Sequence, residues 1–405
     1  MTRDSHPRSP PAIIVGGDIT ALAVARSLWR AGVEVHAVNH AYSWVAFSRG
    51  CRLVELPKSA QGAAAWEAFL LGPESDRLAG SVLFPCGDDC IEIVIRNAER
   101  LRQKFILEEI ATEVREQLLD KLSTYHAAAG AEVPAPAFWH AASIGEIGGL
   151  EGTLPFPLVV KPRHSHRYKP VDKQRKYYRA EDIADVYRYF SLSDVQVSDV
   201  VLTEFIPGRD GDNYGYFAYL DGDGRPLAEF TKRYLRRYPP DRGIACYGIS
   251  DWNPGVRELG LRFLHHVGLS GLAHVEFKRD QRDGKLKLIE SNARFTSNES
   301  MHVACGVDFA VLAYNRLTGR DIGPPMQPGA YRQGLRMWWP GSDFRAFLAL
   351  REDGRTTLRQ WLDSVLHPYR LPAFEWSDPW PSVATLLLRT AGAARDFVCR
   401  FVPNG

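Results

Sequence analysis

The chain has almost no charge of one sign in excess: 50 Lys and Arg stand against 48 Asp and Glu, a formal +2 over 405 residues. That balance gives no basic footprint for nucleic acid and makes no membrane surface an obligatory partner. No apolar run approaches a spanning helix, and residues 1–11 lack a signal-peptide core, reading as a short disordered leader. Cysteine is sparse. Cys51, Cys86, Cys90, Cys246, Cys305 and Cys399 form no CxxC pair and no dense framework, so a reducing cytoplasm is the simplest compartment. Cys86 and Cys90 bracket Asp88 and Asp89 but read better as small buried residues than as metal ligands. His164 and His166 likewise lack a third transition-metal ligand. No serine or cysteine sits in a nucleophile motif. With 45% hydrophobic residues, the chain buries a large core and forms two or three domains.

The opening pattern is a strand (Ala12 to Val15), a turn at Gly16-Gly17 and an amphipathic helix from about Ile19, followed by a second strand around Val35 to Asn39. This order is Rossmann-like and invites an oxidoreductase reading. The turn lacks the full GxGxxG pattern, however, and the second strand ends in Asn39-His40 where an acid would be expected for NAD. Val82 to Pro85 reads as a later strand of the same sheet, with Asp88 and Asp89 either lining its carboxyl edge or capping the next helix. Helix signals continue from about Glu92 through Leu122.

The most informative stretch lies further on. Leu272 to Phe277 and Leu286 to Asn292 are apolar runs separated by a polar segment with Asp283-Gly284, which predicts an antiparallel hairpin. Period-two alternation puts Glu290 and Asn292 on one face, continued by Arg294 if the strand persists, and places His274 with Glu276. Hard oxygen ligands beside an arginine suit a magnesium-bound polyphosphate, although any one of these acids alone is more simply a solvated edge.

Taken with what precedes it, this hairpin resembles the metal-binding end of the ATP-grasp enzymes. Lys121 after Leu118-Leu119-Asp120, Lys161 closing Phe156 to Lys161, and Glu204-Phe205-Ile206 within Val200 to Gly208 occur in that family's order. The resemblance implies that Lys121 and Lys161 bind nucleotide. Glu204 would face the adenine amino group, the backbone of Phe205 and Ile206 or Pro207 would meet the ring edge, and Asp210 or Asp212 would reach the ribose. Glu276, Glu290 and Asn292 would hold magnesium, or manganese in its place. Arg294 would contact phosphate or the reacting carboxylate. His274 and the basic strand containing Lys232 are candidates to stabilise the acyl intermediate, a solvated basic strand being the alternative for most of that cluster.

The implied fold is α/β and α+β: a Rossmann-like pre-ATP-grasp domain (12–110), a two-lobed ATP-grasp domain (111–325) and a helical, aromatic C-terminal appendage (326–405). One departure stands out. Residues 163–179, where the family has a glycine-rich phosphate loop, contain no glycine and are dense in cations. They either close over the triphosphate or form a mobile basic loop. The tail from Ser382 to Val402 is amphipathic, fitting an interfacial membrane helix or, more simply, packing on the core or on a second subunit in a homodimer.

The implied activity is that of the carboxylate-amine ligase branch: ATP phosphorylates a small carboxylate, and an amino acid, peptide or amino sugar attacks the acyl phosphate. A small-molecule kinase and a non-catalytic nucleotide-binding protein are the alternatives.

Overall fold

A computed structural model describes residues 9–56, 62–168 and 177–388; the centre of the basic loop and residues 389–405 lie outside the described residues. Within the described residues there are three sheets. The first is parallel, in the order Arg52–Glu55, Val35–Asn39, Ala12–Val15, Val82–Pro85. Its central strand is buried along its whole length, as expected of a parallel strand covered on both faces. Gly16 and Gly17 turn the chain at φ +61° and +65°. A Cβ on Gly16 would lie 2.4 Å from Cys90 Sγ, so the turn has no room for a side chain there.

Helix signals between residues 92 and 122 resolve into separate pieces: Asp88–Arg96, Ala98–Arg102 and Thr112–Leu119. Between the last two the chain runs extended and Ile106 bridges Val82 in parallel. Burial of Phe105 and Leu107 in the core of this sheet, and of Ile110 in a separate core with Leu118, overrides the helical propensity of this stretch. Asp120 then starts the helix Lys121–Gly130, its side chain accepting from the Leu122 amide at 3.0 Å.

The second sheet is antiparallel, in the order Phe138–Trp139, Val200–Glu204, Leu158–Pro162, Tyr178–Ala180, with the helix Ile183–Leu192 packed beneath it. The third and largest carries the hairpin at one edge. Its order is Leu286–Asn292, Gly271–Arg279, Asn213–Leu220, Pro226–Tyr238, Ile244–Ser250, Arg336–Trp338, Tyr369–Arg370. The C-terminal region is therefore not helical throughout. Two of its segments extend this third sheet, and the helices Pro340–Glu352 and Leu358–Val365 pack at that edge. Asp378 ties the region to the helix Ile19–Arg30 and the loop before Arg52–Glu55: it accepts from the buried Arg26 guanidinium at 2.9 Å and from Ser48 Oγ at 2.7 Å.

Candidate active site

The hairpin register puts His274 opposite Asn292 and Glu276 opposite Glu290, so four of the predicted site residues share one sheet face. A bulge follows immediately, between Glu276 and Phe277. The strand ends at Asn292, short of Arg294. Arg294 nonetheless reaches back, Nη2 donating to Asn292 Oδ1 at 3.1 Å. The same guanidinium grips Asp88 with two nitrogens, one contact being 3.0 Å. Burial opposes the charge on Arg294, but Asp88 and Glu290 together outweigh it and raise the affinity of Arg294 for its proton. Asp88 thus joins the first sheet's carboxyl edge to the hairpin, and no side-chain cap bond forms at the start of its own helix.

The neighbouring strands complete the face. Gly215, opposite both Glu276 and Lys232, leaves it open: a Cβ there would lie 3.1 Å from His274 Nε2 and from Tyr234 Oη. Tyr234 Oη donates to Glu276 Oε1 at 3.3 Å, and Arg237 Nη2 lies 3.6 Å from Glu276 Oε2. Despite full burial, Glu276 holds Arg237 above its ordinary value. His274 stacks on Phe217 at 4.2 Å, which fixes the plane of its ring, and accepts from Asn292 Nδ2 at 3.5 Å through Nδ1.

Lys232 is 1% exposed, donates to Asn298 Oδ1 at 2.5 Å, and is pushed down to about 7 by burial. The basic strand is thus not merely solvated: Lys232 and Arg237 point inward, while Arg233 meets Asp251 and Arg236 meets Asp343 at the surface and the C-terminal edge. Glu276, Glu290, Asn292, Arg294, His274 and Arg237 line one cavity of about 240 Å³.

Lys121 lines an adjoining pocket with Glu290, Asn292 and Tyr125 and donates to Ser165 Oγ at 2.8 Å. Lys161 is buried and donates to Tyr125 Oη at 2.5 Å; that hydroxyl in turn donates to the Ile289 carbonyl at 2.9 Å.

The hinge is tighter than its sequence suggests. Glu204 Oε1 accepts from the Ala137 amide at 3.1 Å and from Lys287 at 2.9 Å, and Oε2 accepts from Arg282 at 2.8 Å. One acceptor position on Oε2 remains beyond these bonds. The Phe205 amide donates to the Pro157 carbonyl at 3.1 Å, and its ring lies under Arg179 at 4.4 Å and Lys278 at 5.3 Å. Asp210 faces inward, accepting the amides of Arg237 at 2.9 Å and Asp241 at 3.0 Å, so its position is one of backbone support. Asp212 is nearer solvent and accepts from Gln281 at 3.0 Å.

Tyr125, Tyr234, Arg237, Asn298 and Asp88 were not singled out as site residues from the sequence. Asp88 carried a signal as a polar loop at a sheet's carboxyl edge, and Tyr234 and Arg237 as part of the basic run around Lys232; Tyr125 and Asn298 carried none.

The donor set around Glu276 is all hard oxygen: two carboxylates and one amide. Among the described residues no three His, Cys, Asp or Glu gather into a closed metal cage. That is the partial set magnesium uses, one or two carboxylates with phosphate and water supplying the rest.

No protein-family model matches the chain. It is 27% identical over 231 residues to a D-aspartate ligase of Enterococcus faecium (strain Aus0004), covering 54% of each chain. It is 34% identical over 226 residues to a D-alanine--D-alanine ligase of Marinobacter nauticus (strain ATCC 700491 / DSM 11845 / VT8), covering 52% of this chain and 64% of that one. The match thus spans between half and two thirds of these curated relatives. An L-amino acid ligase from Bacillus licheniformis superposes with TM-score 0.58 at 18% identity, covering 78% of both chains, which shows a shared fold. The chain thus resembles amino-acid ligases in sequence over about half its length and in fold over 78% of it.

Proposed function

We propose that the chain is an ATP-dependent ligase that joins a small carboxylate to an amine through an acyl phosphate, releasing ADP and phosphate. The observation that carries this is the single cavity in which Glu276, Glu290 and Asn292 face Arg294, Arg237 and His274. Magnesium held by Glu276, Glu290 and Asn292 would spread the negative charge of the transferring phosphoryl group.

The chain's own residues do the rest. Lys121 and Lys161 hold the phosphates from the second sheet's side, while Glu204 Oε2 and the backbone from Phe205 to Ile206 receive the adenine, with Asp212 the nearer acid to the ribose. Arg294, fixed by Asp88, orients the substrate carboxylate, whose oxygen attacks the γ-phosphorus as the bond to the bridging oxygen of ADP breaks. The amine nitrogen then attacks the acyl carbon, loses a proton, and expels phosphate. His274 faces the developing oxyanion, and the buried Lys232 acts on it through Asn298, which lines the same cavity.

Domain roles follow. The parallel sheet serves as a Rossmann-like pre-ATP-grasp domain (12–110) and the two antiparallel sheets as nucleotide lobes (111–325). The remainder (326–405) buttresses the catalytic sheet. A cytoplasmic setting is supported by the free thiols among the described residues. Among those residues no helix is long and apolar enough to cross a membrane.

The test is ADP and phosphate release with ATP and magnesium against pairs of carboxylates and amines, D- and L-amino acids included, with Glu290→Ala as control. Turnover that needs both substrates and is lost in the variant is expected. ADP formation with a carboxylate alone, yielding a stable phosphorylated product, would instead indicate a kinase.

A further inference from the structure

Between Leu158–Pro162 and Tyr178–Ala180 the chain carries the basic stretch 163–177, which has no glycine to let backbone amides close on a phosphate. Its described part, Arg163 to Tyr168, is held by side chains instead. Before the short turn Ser165–Arg167, the Arg163 guanidinium grips Asp120, Nε donating to Oδ1 at 3.0 Å. Within the turn, Ser165 Oγ accepts from Lys121. The third tie comes from the helix Asp88–Arg96 beside the first sheet. Its Glu92 accepts from His166 Nε2 at 2.7 Å through Oε2 and from Arg167 Nη2 at 2.7 Å through Oε1. Burial works against charge on Glu92, but these two bonds outweigh it and hold the carboxyl below its ordinary range, so Glu92 stays an anion.

The two basic residues on Glu92 are not equivalent. The Arg167 side chain is 48% exposed and lines an outer groove with Glu92 and Arg96. The His166 side chain is 10% exposed and lines the pocket that contains Lys121, Glu290 and Asn292. With Nε2 on Glu92, Nδ1 makes no hydrogen bond among the described residues. A ring with a carboxylate at one nitrogen and a polyphosphate at the other is favoured as the imidazolium, which donates from both. The carboxylate also fixes the plane of the ring, as it does behind a metal-bound histidine.

We propose that His166 binds a phosphate oxygen of the nucleotide in place of the missing glycine amides, and that Glu92 is the positioning residue that holds it there. The proposal rests on the ATP-dependent reading above. It adds that the helix carrying Asp88, which fixes Arg294 on the hairpin side, also helps to build the phosphate site.

The test is calorimetric titration of the full chain with magnesium and the non-hydrolysable β,γ-imido analogue of ATP. His166→Ala is expected to weaken binding about tenfold, and Glu92→Gln about threefold to fivefold, as a charge-assisted hydrogen bond is lost or loosened. Arg167→Ala, which sheds the same tie to Glu92 without touching the pocket, should stay within about twofold. Glu92→Gln should add nothing in the His166→Ala background, because Glu92 acts through that ring. His166→Asn, which keeps a donor near the place of Nδ1, should recover part of the loss, and thermal melts confirm that each variant is folded. Unchanged affinity in His166→Ala, or an equal loss in Arg167→Ala, would keep the ATP reading and overturn this one, the second result meaning that tethering of the loop is what counts. Additive losses in the double variant would overturn the role of Glu92. No saturable binding to the parent protein would overturn the ATP reading and this proposal together.

Discussion

The two ends of one hairpin treat their charges in opposite ways. At the turn end, Asp280, Arg282 and Lys287 come from within eight residues and close on themselves and on Glu204: Lys287 lies 2.9 Å from both Glu204 and Asp280, and Arg282 bridges the same two acids. At the other end, Glu276 and Glu290 are met by groups from far along the chain, Arg237 directly and Asp88 through Arg294. The local set is two acids and two bases that satisfy one another, which fastens the hinge to the sheet. The distant set converges around a cavity, where Arg237 and Arg294 stand against Glu276, Glu290 and Asp88, a balance that leaves carboxylate charge for a metal ion.

The largest effect should come from the cavity end. Glu290→Gln is expected to lower kcat on the order of 10³-fold with an unchanged melting temperature, measured by coupled ADP release. Arg294→Ala should cost about 10²-fold, and Asp88→Asn about tenfold, because the latter leaves the guanidinium present but unheld. An Asp88→Asn loss equal to that of Arg294→Ala would mean that Asp88 itself touches substrate.

The turn end should respond in stability instead. Lys287→Met removes a partner from two partly buried acids and should destabilise by about 2 kcal/mol in chemical denaturation. Burial raises the Glu204 carboxyl, but Lys287, Ala137 and Arg282 together hold it below the ordinary range. A carboxyl so depressed contributes stability that is present above its unfolded value, near 4.5, and lost as pH falls through the folded value. Lys287→Met should therefore narrow the acid range over which stability declines. The smallest effect belongs to Arg282→Ala, whose half-exposed side chain should contribute under about 1 kcal/mol.

Lys232 gives the cavity end its own pH signature. Burial lowers its proton affinity from 10.5 to about 7, so between those values the unfolded chain carries a proton that the folded chain does not. Stability should rise with pH across that window, and Lys232→Met should flatten the rise. Turnover should move the other way, falling above about pH 7 as the ammonium behind Asn298 is lost.

How far the sequence could be read follows the same division. Glu276, Glu290, Asn292 and His274 were legible because strand alternation has a period of two and the turn at Asp283-Gly284 set the register. The extended run through Ile106 was not legible, since its backbone pairing is supplied by Val82, outside any local window. Nor was the partner of Arg294, which lies 206 residues away, or the inward turn of Asp210 toward the amides of Arg237 and Asp241. Residue type and spacing show what a side chain can do. Whether it faces a cavity or supports backbone is decided by contacts that only the fold supplies.

The most direct test follows the oxygen. The carboxylate found active in the turnover panel is labelled with ¹⁸O, and the released inorganic phosphate is analysed by mass spectrometry after a single turnover with the amine. One labelled oxygen per phosphate is expected, because the substrate's own carboxylate oxygen leaves with the phosphoryl group. Unlabelled phosphate, with all the label kept in the product, would contradict an acyl phosphate and with it the assignment of this cavity to carboxylate activation.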